Sequence, residues 1–212
     1  MATTTRAEQS VQRVFGNADL SSCPFTEYEL AELTETGELL VHLPAKISVS
    51  ELCELCDVRI NIAVEHENLI RNVMVDEDQW FITSAAPRPE LLYQSGTSAR
   101  RIYEDEGLHG MDLRRYLAFV ATYQAHTGAL PDQTYWTFLL SGRYDRSGVS
   151  IVGFDPHGVL SHHGWMRDFR AKFAGSRYVV LPPRIEVTDE TSTLARARRG
   201  RRDSAALEAT TD

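Results

Sequence analysis

The stretch that decides the fold spans residues 134–181, TYWTFLLSGRYDRSGVSIVGFDPHGVLSHHGWMRDFRAKFAGSRYVVL. Its short apolar runs, at 135–140, 149–154 and 178–181, are separated by Gly, Asp, Pro and Ser residues. Such punctuation is typical of strands joined by turns and loops. The residues between the runs are rich in Tyr, Trp, His, Arg and Asp, a composition that favours recognition loops on a rigid frame.

The clearest helix of the chain precedes this stretch, at residues 112–127. Asp112 is a favourable N-cap, apolar residues follow it at helical spacing, and Gly128 is a C-terminal stop. The apolar stripe of this amphipathic helix needs a sheet or another helix to cover it. One long helix followed by a meander of strands predicts an α+β fold rather than a parallel α/β fold.

The first third of the chain predicts a smaller arrangement of helices and strands. Two Ser/Thr-x-x-Glu capping boxes, at Thr26 and Ser48, predict two short helices. Strands are predicted at 38–43, 57–64 and 79–83, because these runs are apolar or alternate between apolar and polar residues. The beginning and the end of the chain are polar and have little apolar surface to bury. The expected division is a flexible arm at 1–22, a small α+β region at 23–97, a second domain at 98–185 and a disordered arginine-rich tail at 186–212.

The composition favours a soluble protein of a reducing cytoplasm. The chain has 212 residues and a formal net charge of −8, which argues against a duplex-binding body. No apolar run reaches the roughly 20 residues that a membrane helix needs, and the first residues lack the apolar core of a signal peptide. Three cysteines are too few, and an odd number, for a disulfide framework. We therefore expect a cytoplasmic protein with no membrane segment.

Four short motifs carry a resemblance to a known family. They are YWT at 135–137, GVSIVGFD at 148–155, HGV at 157–159 and SRYVVL at 176–181. Their order resembles the end of C-type-lectin-like domains, in particular formylglycine-generating-enzyme-like modules. The resemblance extends over residues 24–183 and implies a lectin-like domain at 98–185, with short twisted strands and one long helix, after a small α/β region. Those enzymes use cysteines in this module, and this chain has none after Cys56, so their activity is not implied.

The same fold carries the variable proteins of diversity-generating retroelements, and the layout is also similar to uncharacterised proteins of candidate-phylum bacteria. Retroelements randomise adenine-rich codons in the last loops, and randomised Asn codons yield Tyr, Asp, Ser, Gly, His, Arg, Val and Phe. Residues 142–164 consist almost wholly of this set. The resemblance therefore implies a non-enzymatic binding protein with variable-type loops at 142–175. An ordinary Gly/Ser/Asp-rich loop region is the alternative.

Aromatic, histidine and charged residues of these loops form the candidate ligand-binding surface. Tyr, Trp and Arg offer large contact areas and directional donors, which are properties of binding hot spots. The expected partner is a protein or another macromolecule. The alternative for Phe154, Trp165 and Phe169 is burial in the core. The full set is Arg143, Tyr144, Asp145, Phe154, Asp155, His157, His162, His163, Trp165, Arg167, Asp168, Phe169 and Arg170.

Signatures of catalysis are missing from the sequence. The chain has no P-loop, nucleophile elbow or kinase motif, and no cofactor is expected. His157, His162 and His163 with Asp155 have side chains that metals accept, so an enzyme of unrecognised type is an alternative function. Adjacent histidines of a strand point to opposite faces, however, and no metal site is predicted.

Two further motifs have plain interpretations. Cys53 and Cys56 form a single CxxC without the second pair that structural zinc needs, and we interpret both as buried small apolar residues. The tail arginines could hold nucleic acid by charge alone, which gives an accessory role and a further alternative function. These are Arg196, Arg198, Arg199, Arg201 and Arg202.

Overall fold

Five helices and ten short strands make up the part of the chain that the computed structural model describes, residues 6–16, 18–61, 70–71, 76–144 and 148–182. The helices are α1 Arg6–Phe15, α2 Glu27–Thr36, α3 Val49–Leu55, α4 Gly96–Asp105 and α5 Leu113–Thr127, with a 3₁₀ turn at Leu20–Ser22. The strands are β1 Glu38–Leu43, β2 Ile60–Asn61, β3 Ile70–Arg71, β4 Gln79–Ser84, β5 His109–Gly110, β6 Trp136–Tyr144, β7 Gly148–Phe154, β8 Leu160–Met166, β9 Ala174–Ser176 and β10 Tyr178–Val179. The predicted α+β class is confirmed.

The predicted capping residues set the ends of the helices. Thr26 accepts the backbone N–H of Glu29, whose carboxylate accepts the N–H of Thr26 in return. Ser48 forms the same reciprocal pair at the start of α3. The longest helix, α5, starts after its N-cap Asp112 and stops at Gly128, which has the left-handed φ of 77° that glycine tolerates. These local predictions are confirmed.

The centre of the largest sheet is the antiparallel meander β6–β7–β8. Its strand order is β2-β8-β7-β6-β3, and β9 runs parallel to β6. Alternate residues face opposite ways, so Leu139 and Val152 pack with α5, whereas Phe138 and Ile151 pack with residues of α4 and β10. The third strand of the meander, β8, was not predicted, because polar residues and Gly164 interrupt its apolar pattern.

Two smaller sheets join the beginning of the chain to its end. β1 pairs with β4, β10 pairs with β5, and an isolated bridge links Ile82 to Val180. Both core clusters contain residues from each side of the expected boundary at 97–98: Leu39 packs with Leu117, and Ile82 is in one cluster with Val180. The two expected regions therefore share their cores.

The N-terminal helix α1 packs on the body of the protein. Val11 is fully buried, and Phe15 contacts both core clusters. Ser10 Oγ lies 3.1 Å from Nδ1 of His126, at the end of α5. The expectation of a loosely attached arm at 1–22 is therefore wrong for α1, because its apolar side chains find a surface that the sequence pattern did not reveal.

A buried ion pair connects the last strands to α5. Arg177 donates to both carboxylate oxygens of Asp132, at 2.6 and 3.0 Å, and both side chains are fully buried. Tyr116 and Thr137 donate their hydroxyls to the same carboxylate. The Arg177 guanidinium also lies 4.4 Å from the centre of the Phe119 ring. This network satisfies charges that would otherwise be costly to bury.

Candidate functional site

Much of the expected loop region at 142–175 is strand. β7 and β8 lie within it, and the described connections between its strands are the turns at 155–159 and 167–173. Phe154 is 8% exposed and His162 is 2% exposed. These two predicted surface residues are interior residues, because the alternation of the sheet turns them toward the core.

Some predicted site residues lie at the end of a strand or outside the described residues. The backbones of Arg143 and Tyr144 end β6, where they pair with β3. Asp145 lies outside the described residues, and so do the tail arginines at 196–202.

The turn at 155–159 is organised by its first residue. Asp155 Oδ1 accepts the backbone N–H groups of His157 and Val159, at 2.8 and 2.9 Å. These N–H groups, that of Val159 most, lower the pKa of Asp155. Gly158 follows with a φ of 75°, and the His157 side chain is exposed. The Asp155 carboxylate is thus engaged in forming its own turn.

The three histidines of this region do not converge. His162 is buried with its Nε2 3.1 Å from Ser150 Oγ, and burial lowers its pKa to about 4. His163 is exposed on the opposite face, with its ring 5.6 Å from that of Trp136. Among the described residues, no group of three or more His, Cys, Asp or Glu side chains could hold a metal ion.

The CxxC cysteines are inside the protein. Burial raises the pKa of Cys53 to about 11 and that of Cys56 to about 12. Both are therefore thiols at neutral pH, which disfavours nucleophilic chemistry. Both are free, and Cys23 is partly exposed.

The remaining predicted residues come together at the end of β8. Trp165 is half-buried, and its ring lies 5.8 Å from that of Phe169 and 6.4 Å from that of Phe173. Phe169, Phe173 and Met166 are 48%, 46% and 69% exposed, and they are three of the six exposed large hydrophobic side chains of the described chain. We call Trp165, Phe169 and Phe173 the aromatic surface; Met166 follows Trp165 on the strand and points to the other face. Clustered exposed apolar side chains mark interaction sites.

The turn that carries the aromatic surface is fixed by hydrogen bonds. The carbonyl of Arg167 accepts the backbone N–H of Thr97, at 3.0 Å, in the first turn of α4. The Thr97 hydroxyl donates to Asp168 Oδ1 at 2.6 Å. At the other end, the carbonyl of Phe173 accepts the N–H of Trp136 at 2.8 Å. The backbone that carries Phe169 and Phe173 is therefore anchored to α4 and β6.

Three cations lie in the same turn as the two phenylalanines. Arg167, Arg170 and Lys172 are exposed, and within the described residues none of them forms an ion pair. With Asp168 as the one carboxylate, residues 165–173 carry three positive charges and one negative charge, a net +2, in a chain of −8.

The sequence prediction named only part of this site. It included Trp165, Phe169 and the two arginines but missed Lys172 and Phe173. The signal was present in the run WMRDFRAKF, in which aromatic residues alternate with cations.

No family model, curated protein or solved structure matches the chain. No helix of the described residues is long and apolar enough to cross a membrane.

Proposed function

We propose that this chain is a non-enzymatic binding protein that holds a macromolecular ligand on the aromatic surface. The observation that carries the proposal is the pair of half-exposed phenylalanine rings packed against Trp165, in a turn with three cations that form no ion pair with any described residue. Aromatic and arginine side chains dominate the energies of binding interfaces, because they combine large contact area with directional polar groups.

The fixed turn supports the same function. Ordering flexible side chains on binding costs roughly 0.5–1.5 kcal/mol for each one. The rings of Phe169 and Phe173 rest against Trp165 in the free protein, on a turn tied to α4 and β6. A ligand therefore meets a surface whose ordering cost is already reduced.

The proposal also includes a fold for the domain and a genetic origin for its variable-type region. A lectin-like fold for residues 98–185 is supported by the long helix and the meander of strands that follows it. On this proposal 142–175 is the variable-type region and 167–173 its ligand-contacting part. A reverse transcriptase gene beside a near-copy of the codons for 142–175 is the expected genomic arrangement. Neighbouring DNA without either one would count against a retroelement origin.

A cytoplasmic location is part of the same proposal. It is supported by the free thiols of Cys53 and Cys56, since the cytoplasm keeps thiols reduced. Fractionation of the source cells, with an antibody against the chain, measures the location directly.

The surface is tested by the double variant Phe169→Ser/Phe173→Ser in the full-length chain. Parent and variant are immobilised and exposed to the same cell extract, and retained macromolecules are quantified. We expect retention to fall at least about tenfold, since two ring contacts of about 1 kcal/mol or more are lost. The melting temperature should change little because both rings are half-exposed.

The matched control is Tyr28→Ser, which removes an aromatic ring that is 73% exposed on α2. It should retain the ligand like the parent. Equal retention by the parent and the double variant would remove the aromatic surface from the proposal, and a large drop in melting temperature would show that the rings are structural.

A further inference from the structure

Within the described residues, the three cations beside the aromatic surface form no ion pair. The protein has 30 acidic and 22 basic residues, so carboxylates are plentiful. Arg167, Arg170 and Lys172 nevertheless stand apart from them, whereas Arg177 and Arg115 each form an ion pair. Unpaired cations on an acidic protein create a local field that favours a negatively charged ligand.

A second copy of the chain does not fit this field. A two-fold symmetric contact through the aromatic surface brings the same patch of each copy together. The net +2 of residues 165–173 would then face another net +2. The ligand is therefore of the opposite charge.

The backbone of the turn offers little to a peptide. Acidic peptides that add to a strand or lie in a groove use main-chain hydrogen bonds. Here the carbonyls of Met166, Arg167 and Phe173 accept N–H groups of the protein itself, and the N–H of Phe169 donates to Met166. These backbone groups are already engaged, whereas the rings and the cationic side chains are exposed.

We infer that the aromatic surface binds a single-stranded nucleic acid. Bases stack on Phe169 and Phe173, and phosphates contact the three cations. Stacking platforms flanked by cations bind single strands without sequence preference, since every base has an apolar face. A duplex buries those faces between its own base pairs. This inference rests on the proposed function, that this surface is where the chain binds.

Fluorescence anisotropy tests the inference on the full-length chain. The probe is a labelled oligothymidine of about 16 nucleotides, the upper site size of a single stacking domain, at a salt concentration of about 50 mM. We expect Phe169→Ala and Phe173→Ala each to weaken binding at least about fivefold. Arg170→Gln should reduce the slope of log K against log salt by about 0.7, the value of one phosphate contact on a single strand.

Two controls separate the surface from other causes. Tyr28→Ala should bind like the parent, and a duplex of the same length should bind less tightly than the single strand. A full-length variant with all five tail arginines replaced by alanine should keep its dependence on Phe169. If binding is lost in the tail variant and unaffected by Phe169→Ala, the tail is the binding element and the inference is overturned.

An acidic peptide with alternating Glu and Phe residues distinguishes the two levels of the proposal. Peptide binding that depends on Phe169, without oligothymidine binding, overturns the nucleic-acid inference and leaves the binding function in place. Failure of both probes overturns the inference. If the double serine variant also retains macromolecules like the parent, the proposed function falls with it.

Discussion

Lowering the pH from 7 toward 4 is expected to destabilise the fold through His162. Its imidazole is 2% exposed, with Nε2 3.1 Å from Ser150 Oγ, between β7 and β8. Burial, and next the charge of His163, lower its pKa from 6.5 to about 4. In the unfolded chain the ring takes up a proton near its ordinary pKa, whereas in the folded protein it stays neutral.

The sign and size of the effect follow from this difference. A lowered folded-state pKa of histidine means that the neutral ring is favoured in the fold, so stability is complete above pH 6.5 and is lost as the pH falls toward the folded pKa. The interval from 6.5 to about 4, at about 1.4 kcal/mol per pKa unit, corresponds to a loss of about 3 kcal/mol. Burial also lowers the pKa of His42 and His109, so His162 accounts for part of the total acid sensitivity.

Urea unfolding at several pH values between 7 and about 4 measures the loss. The variant His162→Gln removes the titrating group, and its free energy of unfolding should fall less steeply with pH than that of the parent. The control His163→Gln removes only the smaller of the two causes and should change the slope less than His162→Gln does. Equal slopes for His162→Gln and the parent would refute the reasoning, whatever the stability of the variant at pH 7.

Three further perturbations have defined outcomes. Asp132→Asn leaves the fully buried Arg177 without its counter-charge. It should lower the free energy of unfolding, measured with urea, by about 3–5 kcal/mol. A loss below about 1 kcal/mol would contradict the structural role of the pair. Phe138→Ala, at a fully buried site between β7 and β9, should cost about 3–5 kcal/mol in the same assay, and a near-neutral result would place this ring outside the core. Cys53 and Cys56, whose pKa values are raised to about 11 and about 12, should resist alkylation at neutral pH, whereas the partly exposed Cys23 should react. Mass spectrometry measures the labelling of each cysteine. Rapid labelling of Cys53 and Cys56 would show that this region opens.

Local signals in the sequence predicted the helices well. Helix caps form hydrogen bonds to residues at most three positions away, so the sequence alone can predict them. This holds for the capping boxes at Thr26 and Ser48 and for the N-cap Asp112. The strand β8 was missed because His162 and Gly164 hide its alternation. Its register is set by pairing with β7, and the residues of β8 alone do not predict that pairing.

Long-range burial explains the other differences. The polar composition around α1 predicted a loose arm, yet α1 contacts both α5 and β1, and Val11 is fully buried. The Arg177–Asp132 pair joins residues 45 positions apart, and nothing local distinguishes Arg177 from an exposed arginine. For the candidate site, residue type alone indicated Trp165, whereas the exposure of Phe173 depends on where the turn leaves the sheet.

The position of Trp165 gives the protein an optical reporter of its own. Its indole N–H is buried without a hydrogen-bond partner among the described residues, and its ring lies within 6.4 Å of both exposed phenylalanines. A molecule that settles on those rings changes the polarity felt by the indole, so the emission spectrum shifts without any attached dye. Trp165→Phe separates this emission from that of the other two tryptophans.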